Sequence, residues 1–83
     1  MRHARRDYDR IQDPAGLIPD DEPVFIIRGQ DIAGPATLRY WAETHRESGG
    51  DEGMADLIDV WAEEMEAWQQ KHGRKVADMP PNY

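Results

Sequence analysis

Eighty-three residues, 39% apolar and 33% charged, with a net charge of −7 and no cysteine, describe one small acidic domain. A chain this short buries only about 60% of the surface its unfolded form exposes, so a large interior is excluded. The missing cysteines exclude a disulfide framework and a thiolate metal site.

Met1 to Asp13 reads as a basic arm, with Arg2, Arg5, Arg6 and Arg10 against Asp7 and Asp9 up to residue 10. It has no apolar run of the signal-peptide kind, and the expected location is cytoplasmic, or the host-cell cytoplasm for a phage-encoded chain. No segment is apolar for long enough to span a membrane. Asp13-Pro14-Ala15-Gly16 reads as a turn and Pro19 to Pro23 as an exposed acidic loop. Residues 14–79 are expected to form a single small domain, with 80–83 as a C-terminal tail.

Pro23 to Gly29 is strand-like: Val24, Phe25, Ile26 and Ile27 are β-branched or aromatic, bounded by Pro and Gly. A lone strand leaves its backbone groups unsatisfied. Its partner is Tyr8 to Ile11, a second copy in a homodimer, or a strand from another protein; a short intrachain partner or a dimer is favoured.

Pro35 suits the first turn of a helix, and Leu38, Trp41, Ala42 and His45 then follow at helical spacing until Gly49-Gly50. Asp51 and Glu52 open a second helix, in which Met54, Ile58, Trp61, Met65 and Trp68 recur at spacings of 4, 3, 4 and 3, ending at Gly73. The expected fold class is α+β, with one strand or a small sheet from the N-terminal third packed on an antiparallel pair of amphipathic helices. Trp41 and Trp61 are expected in the helix–helix core, Trp68 partly covered, and His45 half-buried beside Trp41. The tail from Arg74 is expected to be extended.

No nucleotide-binding loop, nucleophile elbow or convergent ligand set is present, so no catalytic residue, cofactor or metal site is assigned. His45 with Glu43 or Glu47 lacks the spacing of a metal pair, and a thin interior gives carboxylates no pocket in which to shift their pKa. The expectation is a binding protein and not an enzyme. Between Glu47 and Gln70 lie eight acids and no lysine or arginine. On a helical wheel Glu52, Asp56, Asp59, Glu63 and Glu66 fall within an arc of roughly 80°, opposite the apolar seam, as a row about 21 Å long. Such a row is either an ordinary solvated face or a ridge that docks on a basic groove.

The segment Ile18 to Asp31, with its Asp21-Glu22-Pro23-Val24-Phe25-Ile26-Ile27-Arg28-Gly29-Gln30-Asp31 core, followed by Leu38 and Trp41-Ala42, resembles a pattern in short uncharacterised bacterial and phage or mobile-element proteins. The likeness continues through Met65 to Trp68 and Val76 to Pro80, and it implies no particular activity. Small size and acidity also resemble anti-CRISPR proteins in general character. That likeness implies an acidic inhibitor that blocks a basic nucleic-acid-handling partner, such as a CRISPR surveillance complex, by nucleic acid mimicry without itself binding nucleic acid. The alternative is a homodimeric interaction or assembly protein, joined through the Val24–Ile27 strand or an exposed tryptophan surface.

Overall fold

The structure is a computed structural model that describes residues 1–8 and 13–79. It comprises two compact units, Met1–Ile26 with Asp78–Tyr83 and Ile27–Ala77.

The first unit is held by a two-stranded parallel sheet. β1 (Arg2–His3) pairs with β2 (Pro23–Val24) in the register Arg2 to Pro23 and His3 to Val24. The amide of Arg2 donates to the carbonyl of Glu22 at 2.8 Å, that of Ala4 donates to Val24 at 3.2 Å, and the Arg2 Nε donates to the Asp21 carbonyl. The basic arm therefore shares a unit with the acidic loop, and that unit runs to Ile26. The partner of the apolar segment is thus Arg2–His3. Tyr8, offered as the start of the partner strand, lies in a 3₁₀ turn (Arg6–Tyr8), and Ile11 lies outside the described residues. The pairing also stops early. Phe25 is exposed and only Pro23–Val24 is extended in the ladder, because two paired residues across the way satisfy no more than that. The expected turn at Asp13 is present: Gly16 adopts φ 64°, and the Asp13 carboxylate accepts from the amides of Leu17 and Ile18. Arg5 is clamped by both oxygens of Asp7 (3.0 and 2.7 Å), donates to the Asp78 carbonyl, and lies over the Tyr8 ring.

The second unit is a pair of helices, α1 (Gly34–Glu47) and α2 (Glu52–His72). α1 starts where Asp31 accepts from the Ala33 amide through its side chain and from the Gly34 amide through its carbonyl, with Pro35 in the first turn. It ends where Gly49, at φ 77°, turns the chain and the Gly50 amide bonds back to the His45 carbonyl. Asp51 caps α2, its Oδ1 accepting from the Met54 amide at 2.9 Å. Gly73, at φ 93°, closes the helix with its amide on the Gln69 carbonyl. Arg46 near the end of α1 reaches the first turns of α2, and Arg39 reaches Glu66 near the end of α2, so the chain doubles back as a hairpin. The open end is tied by Gln69, whose Nε2 donates to the carbonyls of Gly29 and Asp31, and by the bridge between Asp31 and Lys75. Residues 73–79, which follow α2, are exposed.

The contact between the helices is not the one the apolar periodicity predicts. Ala42, Ala55 and Ala62 are fully buried and Met65 nearly so, with Gly34 and Pro35 buried at the open end. Of the expected seam only Met65 is buried and Ile58 half-buried; Trp61 is 55% exposed, Trp68 43% and Met54 41%. The buried face of α2, centred on Ala55, Ala62 and Met65, is rotated by roughly 80° from the Met54–Trp68 seam. Alanines at seven-residue spacing let the backbones approach closely, and an indole in the same place would hold them apart. A Cβ added at Gly34 would lie 3.0 Å from the Met65 Sδ and 3.3 Å from Ile27 Cγ2, which shows how tight the open end is.

Candidate functional site

α2 contributes its acidic row to one flank of this narrow interface. Arg46 reaches across from α1 and bonds three carboxylates at once: Nε to Glu52 (2.9 Å), and Nη2 to Asp56 and Asp59 (2.8 Å each). Two turns earlier on α1, Arg39 makes a two-pronged contact with Glu66. Both guanidiniums are held more firmly protonated than usual, Arg46 by its hydrogen bonds to Asp59, Asp56 and Glu52, and Arg39 by Glu66. In return the hydrogen bond from Arg39 lowers the pKa of Glu66. Glu63 makes no contact ion pair among the described residues but lies in the field of Arg39. Four of the five row residues are therefore engaged by α1.

This changes the reading of the row. From Glu52 to Gln70 α2 carries no lysine or arginine, but the bases arrive from the neighbouring helix. Arg39 and Arg46, seven residues apart, repeat at the spacing that faces Glu66 and Asp59 across a hairpin, and that spacing was the available signal. The row remains accessible: the side chains of Glu52, Asp56, Asp59 and Glu66 are 38–69% exposed. With Glu43, four residues after Arg39 on α1, this flank sets six carboxylates against two guanidiniums.

The arginines occupy one flank, so the opposite flanks of both helices meet on the other side of the hairpin. There Trp41 of α1 is 43% exposed, and Met54, Leu57, Trp61 and Trp68 of α2 are exposed by 41 to 55%. Trp41 and Trp61 are thus corrected from core to surface. Two of the indoles are braced from within their own helices. Trp41 stacks on His45 with ring centroids 4.7 Å apart at 13°, and Trp68 lies against His72 at 4.5 Å. Half-buried His45 is as expected, packed so closely that a Cβ on Gly50 would fall on its ring. Pinned in this way, an indole presents a fixed apolar surface and has little side-chain entropy left to lose on binding.

A shallow, open depression at the end of the hairpin is lined by Pro35, Arg39, Glu66, Gln69, Gln70 and Arg74, and its charged walls include the Arg39–Glu66 pair. Among the described residues no group of three His, Asp or Glu side chains converges as a metal site, and no helix is long and apolar enough to cross a membrane. No protein-family model, curated protein or solved structure matches the chain.

Proposed function

We propose that this chain is a non-catalytic interaction protein that presents the aromatic side of its helical hairpin to a protein partner. The observation that supports this best is the stripe of Trp41, Met54, Leu57, Trp61 and Trp68, each 41–55% exposed, on a unit whose own helix contact is made by alanines. Exposed apolar surface of this extent marks interaction sites, and tryptophan in particular is enriched where binding energy concentrates. The ionisable groups of the hairpin with displaced pKa values are the arginines and the carboxylate that join its two helices, a structural role.

A second reading is favoured by the excess of carboxylates on the opposite flank. In that reading the acidic side, through Glu52, Asp56, Asp59, Glu63 and Glu66, docks on the basic surface of a nucleic-acid-handling protein, as an inhibitor of the anti-CRISPR kind does by mimicking nucleic acid. Its support is narrower than the sequence implied, because Arg39 and Arg46 neutralise part of the row.

Capture from a bacterial lysate, with and without nuclease, separates the two readings when variants are compared. Leu57→Glu with Trp61→Glu abolishes capture in the first reading and leaves it intact in the second. Glu43→Lys with Glu63→Lys spares the Arg46 contacts, so it tests charge without unlocking the hairpin; capture lost only in this variant contradicts the first reading.

A further inference from the structure

We infer that the partner on the aromatic stripe is a second copy of this chain, joined through α2 in antiparallel fashion about a twofold axis near Trp61. This rests on the reading that the stripe is an interaction surface, and names its occupant.

Three observations converge on a second copy. The first is the arrangement of α2, which carries two adjacent seams. The inner one, Ala55, Ile58, Ala62 and Met65, packs on α1, while the outer one, Met54, Leu57, Trp61 and Trp68, faces solvent. A helix apolar on two neighbouring flanks belongs in a bundle of more than two helices, and the outer residues recur at spacings of 3, 4 and 7, which keeps them on one face. Two hairpins joined through α2 complete such a bundle.

The second is area. At the exposures observed, the five stripe side chains offer about 100 Å² each, or about 1,000 Å² over two copies, the threshold for a specific interface. Within the hairpin the buried hydrophobic residues are three alanines and one methionine, so the stripe area is not used inside the chain.

The third is charge. At the loop end Asp51 caps α2 with negative charge, while Glu52, Asp56 and Arg46 lie on the far flank. At the open end Lys71, in the last turn of α2, and Arg74 after it carry positive charge, while the Arg39–Glu66 pair lies on the far flank. Lys71 and Arg74 make no ion pair among the described residues. An antiparallel twofold sets each acidic end beside the other copy's basic end and opposes the two α2 dipoles, whereas a parallel dimer would stack like on like. It also sets Trp68 opposite Met54 at both ends, a large side chain against a slender one, with Trp61 meeting its counterpart at the axis.

The test is sedimentation equilibrium on the full chain between about 1 and 500 micromolar, with single-cysteine cross-linking to read the register. The wild-type chain is expected to reach twice its monomer mass. Leu57→Glu is expected to raise the dissociation constant about thirtyfold or more while leaving the helical circular dichroism unchanged. Since the chain has no cysteine of its own, Trp61→Cys should oxidise to a disulfide dimer. Met54→Cys and Trp68→Cys should not do so alone, as the twofold holds like positions about 21 Å apart, but should form a mixed dimer when combined. A wild-type monomer across the whole range overturns the inference, as does a disulfide dimer of Met54→Cys alone. If the chain is monomeric and Leu57→Glu still abolishes capture of another protein, the interaction reading survives without its second copy. If capture is also indifferent to Leu57→Glu, both fall.

Discussion

Arg46 shows how much one side chain decides in a small interface. Its planar fork satisfies three carboxylates from successive turns of α2, which would otherwise repel one another along the helix. Removing it withdraws the only guanidinium at that end and leaves the repulsion. Arg46→Met is expected to lower the thermal midpoint, and Arg46→Lys to recover only part of the loss, because an ammonium cannot bridge the same three sites. Thermal denaturation followed at the helical band checks both. Glu66 carries a pH signature. Its pKa is lowered from an ordinary value of 4.5 by the hydrogen bond from Arg39, so the folded state binds that proton less readily than the unfolded chain does. The stabilisation is complete above the ordinary value and is lost as pH falls through the lowered one. Urea denaturation should therefore show Glu66→Gln less stable than wild type at neutral pH, with the difference closing under acid conditions; a difference that persists in acid would assign Glu66 another role.

At the scale of elements, the helices and their stops were legible from local chemistry. Pro35, Gly49, Asp51 and Gly73 each impose a backbone geometry or satisfy a terminal group whatever the rest of the chain does. The face that α2 turns to α1 was not legible. Hydrophobic periodicity finds the apolar side of a helix, and the Met54–Trp68 seam is that side, but small residues are nearly silent in such a pattern. Ala55 and Ala62 win the contact because close approach of two backbones also brings Arg39 and Arg46 within reach of their carboxylates. For the same reason the acidic row looked uncompensated: its bases sit on a different element. The apolar run Val24 to Ile27 misled in the opposite direction, since strand propensity promised a longer ladder than the two residues of β1 can pair. The alanine contact is open to direct test. Ala62→Leu forces four carbons' worth of side chain into a closed seam in place of one, and is expected to cost about 1–3 kcal/mol in chemical denaturation. The same change at exposed Ala67 should cost under about 0.5 kcal/mol.

At the scale of the molecule, the acidity and the aromatic surface belong to opposite sides of one hairpin. Two chains of like net charge repel, and the exposed tryptophans are the apolar area open to a contact in spite of that repulsion. Both features are visible in the sequence, and the pairing with Arg39 and Arg46 neutralises part of the acidic one. The two sides respond to salt in opposite ways. Docking of carboxylates on a basic surface weakens as ions screen it, whereas an apolar contact between two chains of net charge −7 strengthens slightly as their repulsion is screened. The most direct measurement is the self-association constant of the full chain by sedimentation at low and at high sodium chloride. The aromatic side as contact surface predicts association that holds or tightens as salt rises from about 50 to 500 mM. A tenfold or greater weakening over that range would contradict it and return the contact to the acidic flank.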